Sequence, residues 1–191
     1  MLNSRAMRLG LLLACSLPAG CAVTPPPDTA RLPPNAFGTY ADGDIGAINQ
    51  AQWAFANPAR TRNDPVDAAR AVAAVDYLAG ALSTSPRWDF MSPITKQEML
   101  RARAEVRQAV GIAPGAPSQE VVDRLLYAGN ALAAANRASA DSALQPPVFA
   151  AGPQRTFAVL SNMPFLRETN IATQHAAAQR QPTDSSSDMA R

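Results

Sequence analysis

Histidine, lysine and cysteine are nearly missing from this 191-residue chain, which has one His (His175), one Lys (Lys96) and two Cys (Cys15 and Cys21). A single histidine cannot assemble a His-based triad or a multi-His metal site within one chain. Two cysteines, both within the first 21 residues, exclude a Cys/His zinc site and a multi-disulfide scaffold. One lysine excludes a lysine-rich arm, so no nucleic-acid partner is expected. Aromatic residues are scarce at 6%. No apolar run reaches the roughly 20 residues that span a bilayer. The chain also lacks a phosphate-binding glycine loop, a nucleophile elbow and a dinucleotide fingerprint. The expectation is therefore no catalytic residues, no metal and no cofactor.

Alanine fills the space these residues leave. Of the 90 hydrophobic residues, 40 are Ala, the best helix former and a poor strand former. Leu, Ile, Val and Phe make up only 31 of the 171 residues after position 20, a lean core. Charge is nonetheless close to balanced, at 17 basic against 15 acidic side chains, so composition does not point to disorder. An all-α fold follows: a small Ala-rich helical bundle of about five helices behind a Pro-rich tether. Small residues four apart, such as Ala69 and Ala73, let helix axes approach closely.

Proline and glycine punctuate the helical patterns. Ile45, Ile48, Gln52 and Phe55 mark a first helix over about 44–55. Asp64-Pro65 reads as an N-cap followed by proline at the first helical position, opening a second helix that runs to Ser85-Pro86. Thr95-Lys96-Gln97-Glu98 has the form of a capping box and predicts the third helix start. Gly111, with Pro114 beyond it, closes that helix. Ser118 opens a fourth, predicted to reach about Ser142. The segment 154–162 is consistent with helix or strand, and a last helix is predicted over 165–179.

Residues 1–20 read as a signal peptide, with Arg5 and Arg8, the apolar stretch 9–17, and then small residues. Leu17-Pro18-Ala19-Gly20-Cys21 resembles the lipobox of bacterial lipoproteins, with Pro18 at the position where that family usually has Leu. Leu12-Leu13-Ala14-Cys15 is a poorer match, because Leu13 is too large for its position. The resemblance implies cleavage before Cys21 and its acylation, so membrane lipid is a partner through Cys21. Two or more acyl chains hold a protein stably on a bilayer. In that family, Asp after the cysteine retains the protein at the inner membrane. Ala22-Val23 stands there instead, which implies the periplasmic face of the outer membrane. Such cleavage removes Arg5 and Arg8 and no acid, leaving 15 basic and 15 acidic residues. The lipidated Cys and the Pro-rich tether occupy 21–41, the helical domain 42–180, and a polar tail predicted to be disordered 181–191.

The remaining candidates are few. Trp53, Trp88 and Phe90 are bulky residues near helix ends, able to contact a partner or ligand or else to lid the core. His175 lies near a helix end and reads as structural. Glu98, Arg101 and Glu105 read as a salt-bridge ladder along one helix. Asp42-Gly43-Asp44 reads as the turn into the first helix. Lys96, Arg103 and Arg107 read as a solvated basic face. The preferred expectation is a lipid-anchored envelope protein with a non-catalytic structural or adaptor role, working with an envelope protein partner or as a homo-oligomer. The alternative is a periplasmic ligand-binding lipoprotein with a pocket lined by Trp53 and residues 88–91.

Overall fold

The computed structural model describes residues 27–180. Among them are seven α-helices and no strand: α1 (Gly43–Ala56), α2 (Pro65–Thr84), α3 (Pro93–Val110), α4 (Ser118–Ala133), α5 (Arg137–Ala143), α6 (Gly152–Ser161) and α7 (Arg167–Ala178). Two single-turn 3-10 helices, Pro58–Arg60 and Pro86–Trp88, follow α1 and α2. The expected all-α bundle is present, with seven helices among the described residues rather than about five. The signal segment 1–20, Cys21, the start of the tether and the tail 181–191 lie outside the described residues.

The second helix is the centre of the bundle and packs against α1, α3, α4 and α6, while α7 lies against α1 and α3. A helix surrounded in this way must be apolar on nearly every side. Its Ala68, Ala69, Ala71, Ala73, Ala74 and Ala79 are all buried, and small side chains let the neighbours close in. Bulk is supplied by Leu78, Leu82, Met99, Leu125, Leu144, Phe149 and Leu160, all essentially inaccessible. Each large side chain of this kind stabilises the fold by about 1.5–3 kcal/mol through burial.

Local capping explains most boundaries. Asp64 accepts from the Asp67 amide and Pro65 opens α2; Gly111 takes φ +80° and ends α3, with the Ile112 amide returning to Arg107. A side chain at Gly111 would also strike Ala151, since a Cβ there would stand 2.2 Å from the Ala151 Cβ. The third helix starts earlier than the capping-box pattern predicts. Ser92 caps it through the Ile94 amide and Pro93 occupies the first position. Thr95 is buried, accepting from Gln179, and Glu98 reaches His175. The predicted long fourth helix is broken at 134–136, where Ala135 adopts φ +56° and Asn136 then caps α5 through the Ser139 amide. Of the segment 154–162, residues 154–161 are helix within α6 and Asn162 is its C-cap.

The described part of the tether also departs from expectation. Residues 28–37 run along the bundle as a strap rather than standing clear of it. The Asp28 carboxylate accepts from the Ser118 amide at the start of α4, and Arg31 exchanges two backbone bonds with the Gln119 side chain. Gly80 provides the slot in α2 where the strap crosses, because a Cβ there would lie 2.5 Å from the Asp28 carbonyl oxygen. Further along, Phe37 is buried in the core. The Pro-rich composition marks a tether, but Asp28, Leu32 and Phe37 each find a partner surface on the helices.

Candidate functional site

Arg103 and Arg107 stand one turn apart on α3, so both project toward the same side of the bundle. Arg107 goes inward and is 6% exposed. Its Nε and Nη2 grip both oxygens of Asp76 at 2.7 and 2.8 Å. Nη2 also donates to Ser118 Oγ at 3.1 Å, and Nη1 to the Pro114 and Ala116 carbonyls at 3.1 and 2.8 Å. That engages all five guanidinium donors. The fork joins α3 to α2 and pins the connection 111–117 in place. The predicted solvated basic face is therefore corrected: Arg107 is interior, and its matching acid is 31 residues away on another helix.

Arg103 differs from its neighbour. It is partly buried, and one nitrogen, Nη1, donates to the Asp28 carbonyl at 2.9 Å and to Ser118 Oγ at 3.2 Å. Its Nε and Nη2 have no protein partner among the described residues. Burial pushes its pKa down; Asp76 opposes this, Arg107 adds to it, and Asp28 opposes it less strongly. An arginine this far above neutrality stays a cation, so the shift marks charge incompletely compensated by the fold.

That cation lines a cleft of about 720 Å³. Leu100 and Ala104 of α3 form one wall, Ile112 and Pro114 of the α3–α4 connection form another, and Asp28 of the strap closes one side. The volume falls within the range typical of small-molecule sites, roughly 300–1,000 Å³. Chemically the cleft offers apolar walls, the Gln108 amide and a guanidinium with donors unused among the described residues. That set recognises an anionic group but has no paired acid and base facing each other.

A second polar cluster gathers where α1 begins. Asp42 caps α1 through the Asp44 and Ile45 amides and pairs with Arg87. Asp44 accepts from the Trp88 indole at 3.0 Å, from Tyr77 and from Arg87. The Arg87 hydrogen bond holds the Asp42 carboxyl below its usual range, and burial together with the bond to Asp44 pushes the Tyr77 phenol up. Asp42-Gly43-Asp44 is thus the turn that starts α1, as predicted, and it is also the acceptor for three side chains from elsewhere.

The three aromatic candidates do not converge. Trp88 is 1% exposed and lids the core. Phe90 packs beside it, ring centres 5.7 Å apart, and remains 45% exposed. Trp53 lies further along α1, a rise of about 13 Å from Asp44, the residue that binds the Trp88 indole. Arg60 sits over its ring and donates to its carbonyl at 2.7 Å. Glu98 and Glu105 do not form a ladder with Arg101. Glu98 lies 2.7 Å from His175 Nδ1, in the last turn of α7. Glu105 caps α7 across the helix interface, accepting from the Thr169 amide and hydroxyl, each at 2.7 Å. Leu166 has no side-chain acceptor for that role, so a neighbouring helix supplies it.

Among the described residues no group of three or more His, Cys, Asp or Glu is placed to hold a metal ion. No helix among them is long and apolar enough to cross a membrane. The cleft was not found from sequence, although Arg103 and Arg107 at spacing four were a usable signal once Asp76 is recognised as the partner of only one. No protein-family model, curated protein or solved structure matches the chain.

Proposed function

We propose that this chain is a lipid-anchored protein of the bacterial cell envelope, held at the periplasmic face of the outer membrane through acylated Cys21, whose helical domain works by binding rather than by catalysis. The observation that carries the binding half is the division of labour among its charged groups. Asp44, Asp76, Glu98 and Glu105 each hold two elements together, whereas Arg103 keeps donors open in a cleft. Of the two binding roles, adaptor for an envelope protein and module for a small ligand, the concave shape and polar anchor of the cleft favour the ligand. The site is then the α3 cleft rather than an aromatic pocket at Trp53 and Trp88. The anchor half rests on the lipobox-like residues 17–21, and the balanced side-chain charge after cleavage gives no net attraction to an anionic membrane in place of the lipid.

Fractionation of cells expressing the full chain tests the anchor. The parent protein is expected in the membrane fraction, with an N-terminal peptide whose mass carries a diacylglyceryl group. Cys21→Ser is expected in the soluble periplasmic fraction. Equal partition of the two proteins, or an unmodified Cys21, would overturn it.

A further inference from the structure

We propose that the α3 cleft binds a single-chain amphiphile by its anionic end, a carboxylate or phosphate, with Arg103 as the anion-binding residue. The inference rests on the reading of the domain as a binding module and names the class of its ligand. Arg103 lines the cleft, and the three N–H donors on its Nε and Nη2 have no protein acceptor among the described residues. A planar guanidinium with adjacent free donors matches the two oxygens of a carboxylate or phosphate in a forked pair. Beside it stand Leu100, Ala104, Ile112 and Pro114, which receive an apolar chain but offer no partner to a second charge. Arg107 also borders the cleft, but all its donors are engaged and Asp76 matches its charge, so Arg103 is left as the anchor. Asp28 lines the other side, its carboxylate accepting from the Ser118 amide.

Placement supports the same ligand class. Asp28 lies seven residue steps beyond Cys21, and a chain of that length spans at most about 25 Å. An acylated Cys21 would hold the rim of the cleft within that distance of the bilayer surface, where single-chain amphiphiles are most concentrated.

Calorimetric titration of the full chain carrying Cys21→Ser, which leaves every described residue unchanged, tests the proposal. The probes are decanoate, decyl phosphate, uncharged decanol and inorganic phosphate, each below its aggregation concentration. Saturable binding of decanoate or decyl phosphate is expected, at least about tenfold tighter than decanol or inorganic phosphate. The tighter of the two identifies the source, a free fatty acid or a phosphate-bearing lipid fragment. Arg103→Gln is expected to weaken that binding by about tenfold or more. Because Arg103 also holds Asp28, Ala104→Glu provides a second variant. It places a negative charge in the wall, breaks no bond of the fold, and is expected to abolish binding with an unchanged melting temperature. Binding of decanol as tight as decanoate, unaltered affinity in both variants, or no binding of either anionic probe would overturn the proposal. The fractionation experiment is independent of these outcomes: membrane anchoring without probe binding removes the cleft alone, and probe binding without anchoring removes the anchor alone.

Discussion

Asp76 and Tyr77 are consecutive residues of α2, and each supports a cluster of charged side chains, but the clusters are buried to different depths. Asp76 faces α3 and is inaccessible, and its partner Arg107 is nearly so. Tyr77 faces the start of α1, where the Asp42 and Arg87 side chains are 38% and 47% exposed. In the deep cluster every guanidinium donor has an acceptor, because water cannot supply one. In the shallow cluster solvent screens the same kinds of charge, and the ion pairs there contribute little each. One residue step on a helix turns a side chain by about 100°, enough to move it from a sealed interface to a wet one.

The largest expected effect comes from unpairing the deep cluster. Arg107→Met leaves Asp76 buried as an uncompensated carboxylate, and urea denaturation should show a loss of about 3–5 kcal/mol. Adding Asp76→Leu should recover part of that loss. A single variant costing less than about 1 kcal/mol would erase the distinction between the clusters. Gly80→Ala follows in size. It lies on the Asp76 side of α2, one turn on, and its new methyl would collide with the Asp28 carbonyl. A cost of about 1–3 kcal/mol is expected, with faster hydrogen exchange at the Arg31 and Ser118 amides. Unchanged exchange at both would show that the strap tolerates the methyl in place.

The shallow cluster should give the smallest change, and one that depends on pH. Tyr77→Phe removes the bond to Asp44, for about 1 kcal/mol at neutral pH. The Tyr77 pKa is raised above the usual tyrosine value of about 10. Its contribution is therefore complete below that value and is lost as pH rises through the folded-state pKa. Parent stability should fall with pH on the alkaline side more steeply than that of Tyr77→Phe, measured by thermal melts across the range. Parallel slopes would remove Tyr77 from the account.

What was legible in the sequence was local. Asp64-Pro65 and Gly111 fixed helix ends because caps depend on residues within a turn of one another. Ser92-Pro93 carries the same cap-then-proline form as Asp64-Pro65 and was readable, but the capping-box pattern three residues later obscured it. The break at Ala135 carries no glycine or proline; it depends on Asn136 capping a new helix, and a run of alanines hides it. The ladder predicted for Glu98, Arg101 and Glu105 failed for a different reason. Spacing shows which side chains can meet along one helix, whereas Glu98 and Glu105 found His175 and Thr169 on another, 77 and 64 residues away. The cleft belongs to the same class, since it needs Asp28, α3 and the 111–117 connection brought together by the fold.

The docked strap also has a mechanical consequence. Tension on the chain ahead of residue 27 does not arrive at α1, whose first residue is Gly43. It is met at Asp28, where Arg103 holds the carbonyl and the Ser118 amide holds the carboxylate, so the load divides between α3 and α4. The Arg31 pair with Gln119 takes up what passes beyond. A pull on the N-terminal side therefore strains the rim of the cleft before it disturbs α1, and traction on the chain would alter the shape of the cleft that Asp28 helps to close.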